Sequence, residues 1–193
     1  MRAPMAERRL SRDFYRRDAV TVARDLLGRV LARRLPDGRV LRAPIVEVEA
    51  YDGTRDRASH AFPGRTLRNA PMFAAGGIAY VYLIYGMHHC LNLVTGEADH
   101  PAAVLVRAAA WPEDPKVASG PGKLARAFAI DRALNGASLL GPDLWLEEGA
   151  PVPARAVART RRIGVDYAGS WAARRLRFYV KGHPSVSGPR DLR

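Results

Sequence analysis

In Ile45-Val46-Glu47-Val48-Glu49-Ala50-Tyr51, two carboxylates and a phenol recur at every second position. On a strand, Glu47, Glu49 and Tyr51 share one face, while Val46, Val48 and Ala50 point to a core. The polar face is either ordinary solvent exposure or a catalytic face, with one ionised carboxylate near the tyrosine acting as general base. A period of two does not choose between Glu47 and Glu49. In the run Ile78 to Ile84, Tyr80 and Tyr82 also share a face, and Tyr85-Gly86 follows as a reversal before another apolar run. A large aromatic at a tight turn of a strongly basic protein has the shape of a wedge between nucleic-acid bases. Packing alone is the simpler account of these three tyrosines.

His60 is the one histidine of the polar loop Asp52 to Arg68, either plainly exposed or a donor to a bound ligand. Arg107 ends the apolar run Ala103-Val104-Leu105-Val106-Arg107 and needs a carboxylate on a neighbouring strand, because an unpaired buried charge is costly. In Ser119-Gly120-Pro121-Gly122-Lys123-Leu124 we read a helix start with Ser119 near the cap, where Lys123 suits a phosphate. The GxxxxGK[ST] spacing of a phosphate loop is missing, and a plain capped helix accounts for the stretch equally well. His88-His89-Cys90 makes a poor metal site, since neighbouring strand residues point to opposite faces. The zinc-deaminase pattern, GxSxG, GxGxxG and HExxH are all absent. None of the three lysines sits in the Glu49 strand or the tyrosine hairpin, which disfavours Schiff-base chemistry. Carboxylate, tyrosine, histidine, asparagine and arginine remain, a set suited to acid–base work on a nucleobase without metal or cofactor.

The elements that must carry these residues follow from pattern. Phe14 to Leu27 reads as a scaffold helix with Asp18 as N-cap and Gly28 closing it. Arg29 to Leu35 and Arg39 to Tyr51 form a hairpin about Pro36-Asp37-Gly38. Leu176 to Val180 is a last strand. We expect a flexible basic arm over 1–12, one domain over 13–187 and a loose tail over 188–193, the Pro/Gly/Ser-rich looseness beginning near Pro184. With 193 residues and 48% hydrophobic composition the chain can bury one core. No apolar run nears the ~20 residues of a membrane span, and the N-terminus lacks the apolar middle of a secretory signal. The single Cys90 fits a reducing cytoplasm. A net charge of +12 on 31 basic residues suggests a polyanionic partner, although the arginine bias also accompanies GC-rich coding sequence.

Several stretches in order resemble the alkyladenine (3-methyladenine) DNA glycosylase family: Glu49-Ala50-Tyr51, Ala58-Ser59-His60, Arg68-Asn69-Ala70-Pro71-Met72-Phe73, Tyr80 through Met87, Leu91-Asn92, Val104 through Ala108, Ser119 through Leu124 and Leu176 through Val180. The resemblance covers about Phe14 to Ser187. It implies an α+β single domain with a curved, mainly antiparallel sheet and helices packed around it. It also implies a monomeric, metal-independent enzyme without cofactor that flips alkylated or deaminated purines out of double-stranded DNA and hydrolyses the N-glycosidic bond. By the same resemblance Glu49 is the general base, and Arg107, with the Ile163 carbonyl, helps hold the attacking water. Tyr51, His60 and Tyr82 sandwich the flipped base, and Asn92 disfavours a guanine 2-amino group. Tyr85 fills the vacated space with Met87 beside it, and Arg65 and Lys123 meet phosphates. His88 and His89 stand where some relatives carry other aromatics. The competing expectations are a non-catalytic basic module that stacks bases on its tyrosines, and a small-molecule hydrolase, against which the charge argues.

Overall fold

The computed structural model describes residues 8–189. Its helices are α1 (Arg12–Tyr15), α2 (Ala19–Leu26) and α3 (Pro121–Ala127). Its strands are β1 (Val30–Arg34), β2 (Val40–Tyr51), β3 (Ala79–Ile84), β4 (His88–Thr95), β5 (Ala102–Ala109), β6 (Leu144–Glu147), β7 (Val157–Thr160) and β8 (Arg177–Val180). All eight join one curled antiparallel sheet in the order β3-β4-β5-β2-β1-β6, with β8 added to β2 and β7 to β8. The fold is therefore α+β, a single domain. No helix among the described residues is long and apolar enough to cross a membrane.

β2 holds this sheet together because it is shared by its two parts. Its first half pairs with β1, and its second half lies between β5 and β8. The Pro36-Asp37-Gly38 turn closes as expected, with the Gly38 amide donating to the Leu35 carbonyl at 2.9 Å. α2 begins at Asp18, whose carboxylate accepts from the Thr21 amide at 2.9 Å and satisfies one of the free N–H groups of the first turn. The helix buries Ala19, Val22, Ala23 and Leu26, and packs on β2 and β5. α3 covers β4 and β5 from the same side.

Alternation then sorts the sheet. Val48, Ala50, Leu91, Leu93, Val104 and Val106 enter the core under the helices. Tyr51, Tyr80, Tyr82, Cys90, Asn92, Ala103 and Leu105 line a cavity on the other side. One detail departs from strict alternation. The β2–β5 ladder passes over Val46 on β2 and Arg107 on β5, and such bulges re-aim side chains. In consequence Ile45, and not Val46, joins Val48 and Ala50 in the main core.

Both ends are packed where they are described. Leu10 is buried and its amide donates to the Leu146 carbonyl at 2.9 Å, while the Arg9 guanidinium lies 4.0 Å from the centre of the Trp145 ring. Only residues 1–7 of the expected arm fall outside the described residues. Ser185, Val186 and Ser187 are buried rather than loose, because Ser187 satisfies a buried carboxylate described below. Of the tail 188–193, residues 190–193 lie outside the described residues.

Candidate active site

The cavity has a volume of about 240 Å³. That is below the roughly 300–1,000 Å³ of pockets for drug-sized ligands, so it suits one flat heterocycle better than a larger molecule. Its sheet wall carries the tyrosines, Asn92 and Arg107. Its rim is made by Ile84 and Tyr85 on one side and by Ile163, Gly164 and Tyr167 on the other.

The structure separates the two carboxylates that periodicity left equivalent. Glu47 is saturated: it accepts from Arg107 Nε at 2.9 Å, Arg177 Nε at 2.7 Å, the Ser187 amide at 2.6 Å and Ser187 Oγ at 3.0 Å. It is fully buried and does not reach the cavity. Glu49, also fully buried, sits one side chain behind the cavity wall. Its Oε2 accepts from the Tyr51 hydroxyl at 2.9 Å, and its Oε1 accepts from the Ile163 amide at 2.8 Å and lies 3.2 Å from Arg107 Nη1. All three partners line the cavity. Ile163 thus meets this carboxylate through its amide. Burial opposes the charge on Arg107, but Glu49 and Glu47 outweigh it and raise its pKa. Burial, and then the Glu49 charge, push the Tyr51 phenol well above its usual range, so it stays protonated and donates. Two acids and two guanidiniums, Glu47, Glu49, Arg107 and Arg177, therefore share one buried cluster with balanced charge.

A second buried ion pair lies beside this cluster. Arg162 donates to Asp56 through Nη1 at 2.5 Å and Nη2 at 2.9 Å, and its Nη1 also donates to the Ala50 carbonyl at 2.9 Å. Its guanidinium carbon lies 4.6 Å from the centre of the Tyr51 ring. Asp56 also accepts from the amides of Asp52 and Ala58, which fixes the loop that delivers His60. The pair thus ties the loop after β2 to the residue preceding Ile163.

His60 Nδ1 lies 3.0 Å from the Tyr80 hydroxyl, and its ring centre is 4.5 Å from that of Tyr82. Burial, with the Arg68 charge adding to it, lowers the His60 pKa and favours the neutral ring. Tyr51, Tyr82 and His60 therefore do converge, and Tyr80 joins them as the same-face neighbour of Tyr82. Burial raises the Tyr82 pKa, so this wall stays uncharged. Asn92, opposite Tyr80 in the ladder, lines the cavity and donates through Nδ2 to the Tyr80 carbonyl at 3.2 Å.

Tyr85 and Gly86 turn the β3–β4 hairpin with φ of +51° and +69°. Positive φ is unusual for an aromatic residue and costs of order 1–3 kcal/mol, a strain that concentrates at working sites. Tyr85 is 85% exposed and Met87 72% exposed at the tip. Arg65 and Lys123 do not line the cavity. Arg65 pairs with Asp99 at 2.7 Å and stacks on Phe73, and Lys123 is exposed on α3, whose cap is Gly120, next to Ser119. Among the described residues no group of three His, Cys, Asp or Glu side chains could hold a metal ion. The sequence reading missed Asp56, Arg162, Arg177 and Ser187. Their partners lie from 130 to 140 positions away for Glu47 and 106 for the Asp56–Arg162 pair, so no local pattern marks them.

A fully buried carboxylate behind an aromatic slot, with a strained aromatic at the rim, is equipped for base-promoted chemistry on a stacked heterocycle. Residues 13–184 match the family model described as methylpurine-DNA glycosylase. A protein of Methanocella arvoryzae is 51% identical over 200 residues, spanning 95% of this chain and 98% of its own length. One from Anaeromyxobacter dehalogenans is 54% identical over 185 residues, spanning 94% and 86%, and one from Myxococcus xanthus is 49% identical over 185 residues, spanning 93% and 94%. All three provisionally carry the name 3-methyladenine DNA glycosylase.

Proposed function

Because the chain belongs to the methylpurine-DNA glycosylase family, we propose that it flips alkylated or deaminated purines, 3-methyladenine and hypoxanthine among them, out of duplex DNA and cuts their N-glycosidic bond with a water activated by Glu49. Membership makes it a DNA glycosylase, a hydrolase of N-glycosyl bonds. The finer assignment is carried by one observation: Glu49 is held by three groups that all face the cavity.

A base inside the duplex hides its glycosidic bond, so it must leave the stack, at a cost of a few kcal/mol. Tyr85 occupies the vacated space, and stacking on Tyr51, His60 and Tyr82 offsets the cost by about 1–3 kcal/mol per contact. A cationic alkylpurine gains a further ~0.5–2 kcal/mol against electron-rich rings and already carries the charge that makes it a good leaving group. A neutral His60 adds no repulsion. Asn92 faces the arriving purine edge and disfavours a 2-amino group. The water sits where Tyr51, Arg107 and Ile163 meet, and passes its proton to Glu49 as the bond to the sugar carbon forms. The enzyme works as a monomer on the chromosome in the cytoplasm.

The test is a panel of single-lesion duplexes, incubated with EDTA and then treated with alkali to reveal abasic sites. Wild type releases 3-methyladenine or hypoxanthine, and Glu49→Gln loses release by at least about 10²-fold with lesion binding nearly intact. A Glu49→Gln variant that cuts at the wild-type rate refutes the assignment of the base.

A further inference from the structure

The cavity rim formed by Ile163, Gly164 and Tyr167 continues into a part of the surface that is almost purely cationic. Between 155 and 181 the chain carries Arg155, Arg159, Arg161, Arg174, Arg175 and Lys181 on its exterior, and Asp166 is its only acid. None of these six makes an ion pair with a carboxylate among the described residues, whereas Arg65, the first phosphate candidate, is paired with Asp99. Leaving six cations unpaired side by side raises repulsion within the folded protein, which a polyanion would relieve.

The backbone arranges them as a ledge. β7 pairs with β8 alone and is an edge strand. Arg159 Nε donates to the Arg175 carbonyl at 2.5 Å, which brings the arginines of β7 beside those leading into β8. The Arg159 guanidinium lies over Phe178 and the Arg174 guanidinium over Trp171, so both heads are held against the surface and not free to sweep. Lys181 Nζ closes the far end on the Arg155 carbonyl at 2.8 Å. Arg161 marks the near end, two residues before the amide that holds Glu49. β7 itself spans Val157–Thr160, on the order of 10 Å at about 3.3 Å per residue, with Arg155 and Arg161 beyond its two ends.

We propose that this β7–β8 ledge is the track for the phosphate backbone of the DNA, gripping the damaged strand on the side of the cavity away from Tyr85. The proposal rests on the glycosylase reading. It adds the direction in which the duplex runs: from the hairpin tip, across the cavity mouth, onto Arg161, Arg159, Arg175 and Arg174. These arginines position the strand and carry no part of the bond cleavage.

Fluorescence anisotropy of a labelled duplex containing an abasic analogue, titrated from 50 to 300 mM salt, tests it. Each phosphate that the protein no longer neutralises lowers the slope of log K against log salt by about 0.9. Arg159→Gln/Arg161→Gln/Arg174→Gln/Arg175→Gln should lower it by about 3.6 and weaken binding at physiological salt by more than about tenfold. Its single-turnover rate at saturating enzyme should stay at the wild-type value. The control Arg8→Gln/Arg12→Gln/Arg24→Gln/Arg39→Gln removes the same net charge elsewhere and should change the slope by less than one. Equal slopes for the two variants overturn the ledge, since only net charge then matters, and so does an unchanged slope. If the ledge variant alone loses slope while no lesion is released by wild type, the interface stands and the glycosylase reading falls. Base release with equal slopes means the reverse: the glycosylase reading stands and the ledge falls.

Discussion

His60 and Glu49 illustrate how single side chains are tuned by what covers them. The His60 ring is pushed toward neutrality by burial and by Arg68, which has a consequence for folding. An unfolded histidine takes up its proton near pH 6.5, and the buried one only at lower pH. Its stabilising effect is therefore complete above about 6.5 and declines as pH falls through the folded value. His183 is shifted the same way by burial and is common to both proteins compared. Urea unfolding from pH 8 to 5 should show wild type losing more stability than His60→Gln, and parallel curves would contradict the buried neutral ring. At this scale the period of two puts Glu47 and Glu49 on one face and cannot rank them. Ranking depends on Ser187 and Arg177 reaching Glu47 from the far end of the chain, information that a period of two does not contain.

Elements add what residues alone do not. Strand β8 and the segment after it form a strap under the site: Arg177 Nε binds Glu47, Arg177 Nη2 donates to the Ser187 carbonyl at 2.9 Å, and Arg107 Nη2 donates to Ser187 Oγ at 3.2 Å. Removing one cation from this buried cluster leaves Glu47 under-compensated. Arg177→Met should cost about 3–5 kcal/mol. Ser187→Ala, which keeps the amide bond to Glu47, should cost about 1 kcal/mol. Chemical denaturation of both variants measures the pair, and similar small losses would show that Glu47 does not depend on the strap. The hairpins were readable from Pro36-Asp37-Gly38 and from Tyr85-Gly86 because turn chemistry is local. The bulges at Val46 and Arg107 were not, since they arise only when β2 and β5 are paired. Nor was the buried tail, whose Pro/Gly/Ser composition suggests slack until the carboxylate it satisfies is known.

For the whole molecule, alternation and the family resemblance together made the curved α+β sheet and the cluster of Tyr51, His60 and Tyr82 legible before any coordinates. Strand order was not, because β2 meets β8 across well over a hundred residues. The double use of β2 also sets where the protein can breathe. Glu47 to Glu49 are paired with β5 on one side and β8 on the other, and the Ala50 amide is held by the Leu176 carbonyl. Backbone protons here have no small opening that releases them, so their exchange with deuterium should follow global unfolding. The 84–88 tip, joined at one end of a single ladder, should exchange orders of magnitude faster. Mass spectrometry of peptides from the two regions would show a Glu49 strand that stays still while the Tyr85 turn samples other shapes. Equal protection in both would mean that the two move as one body.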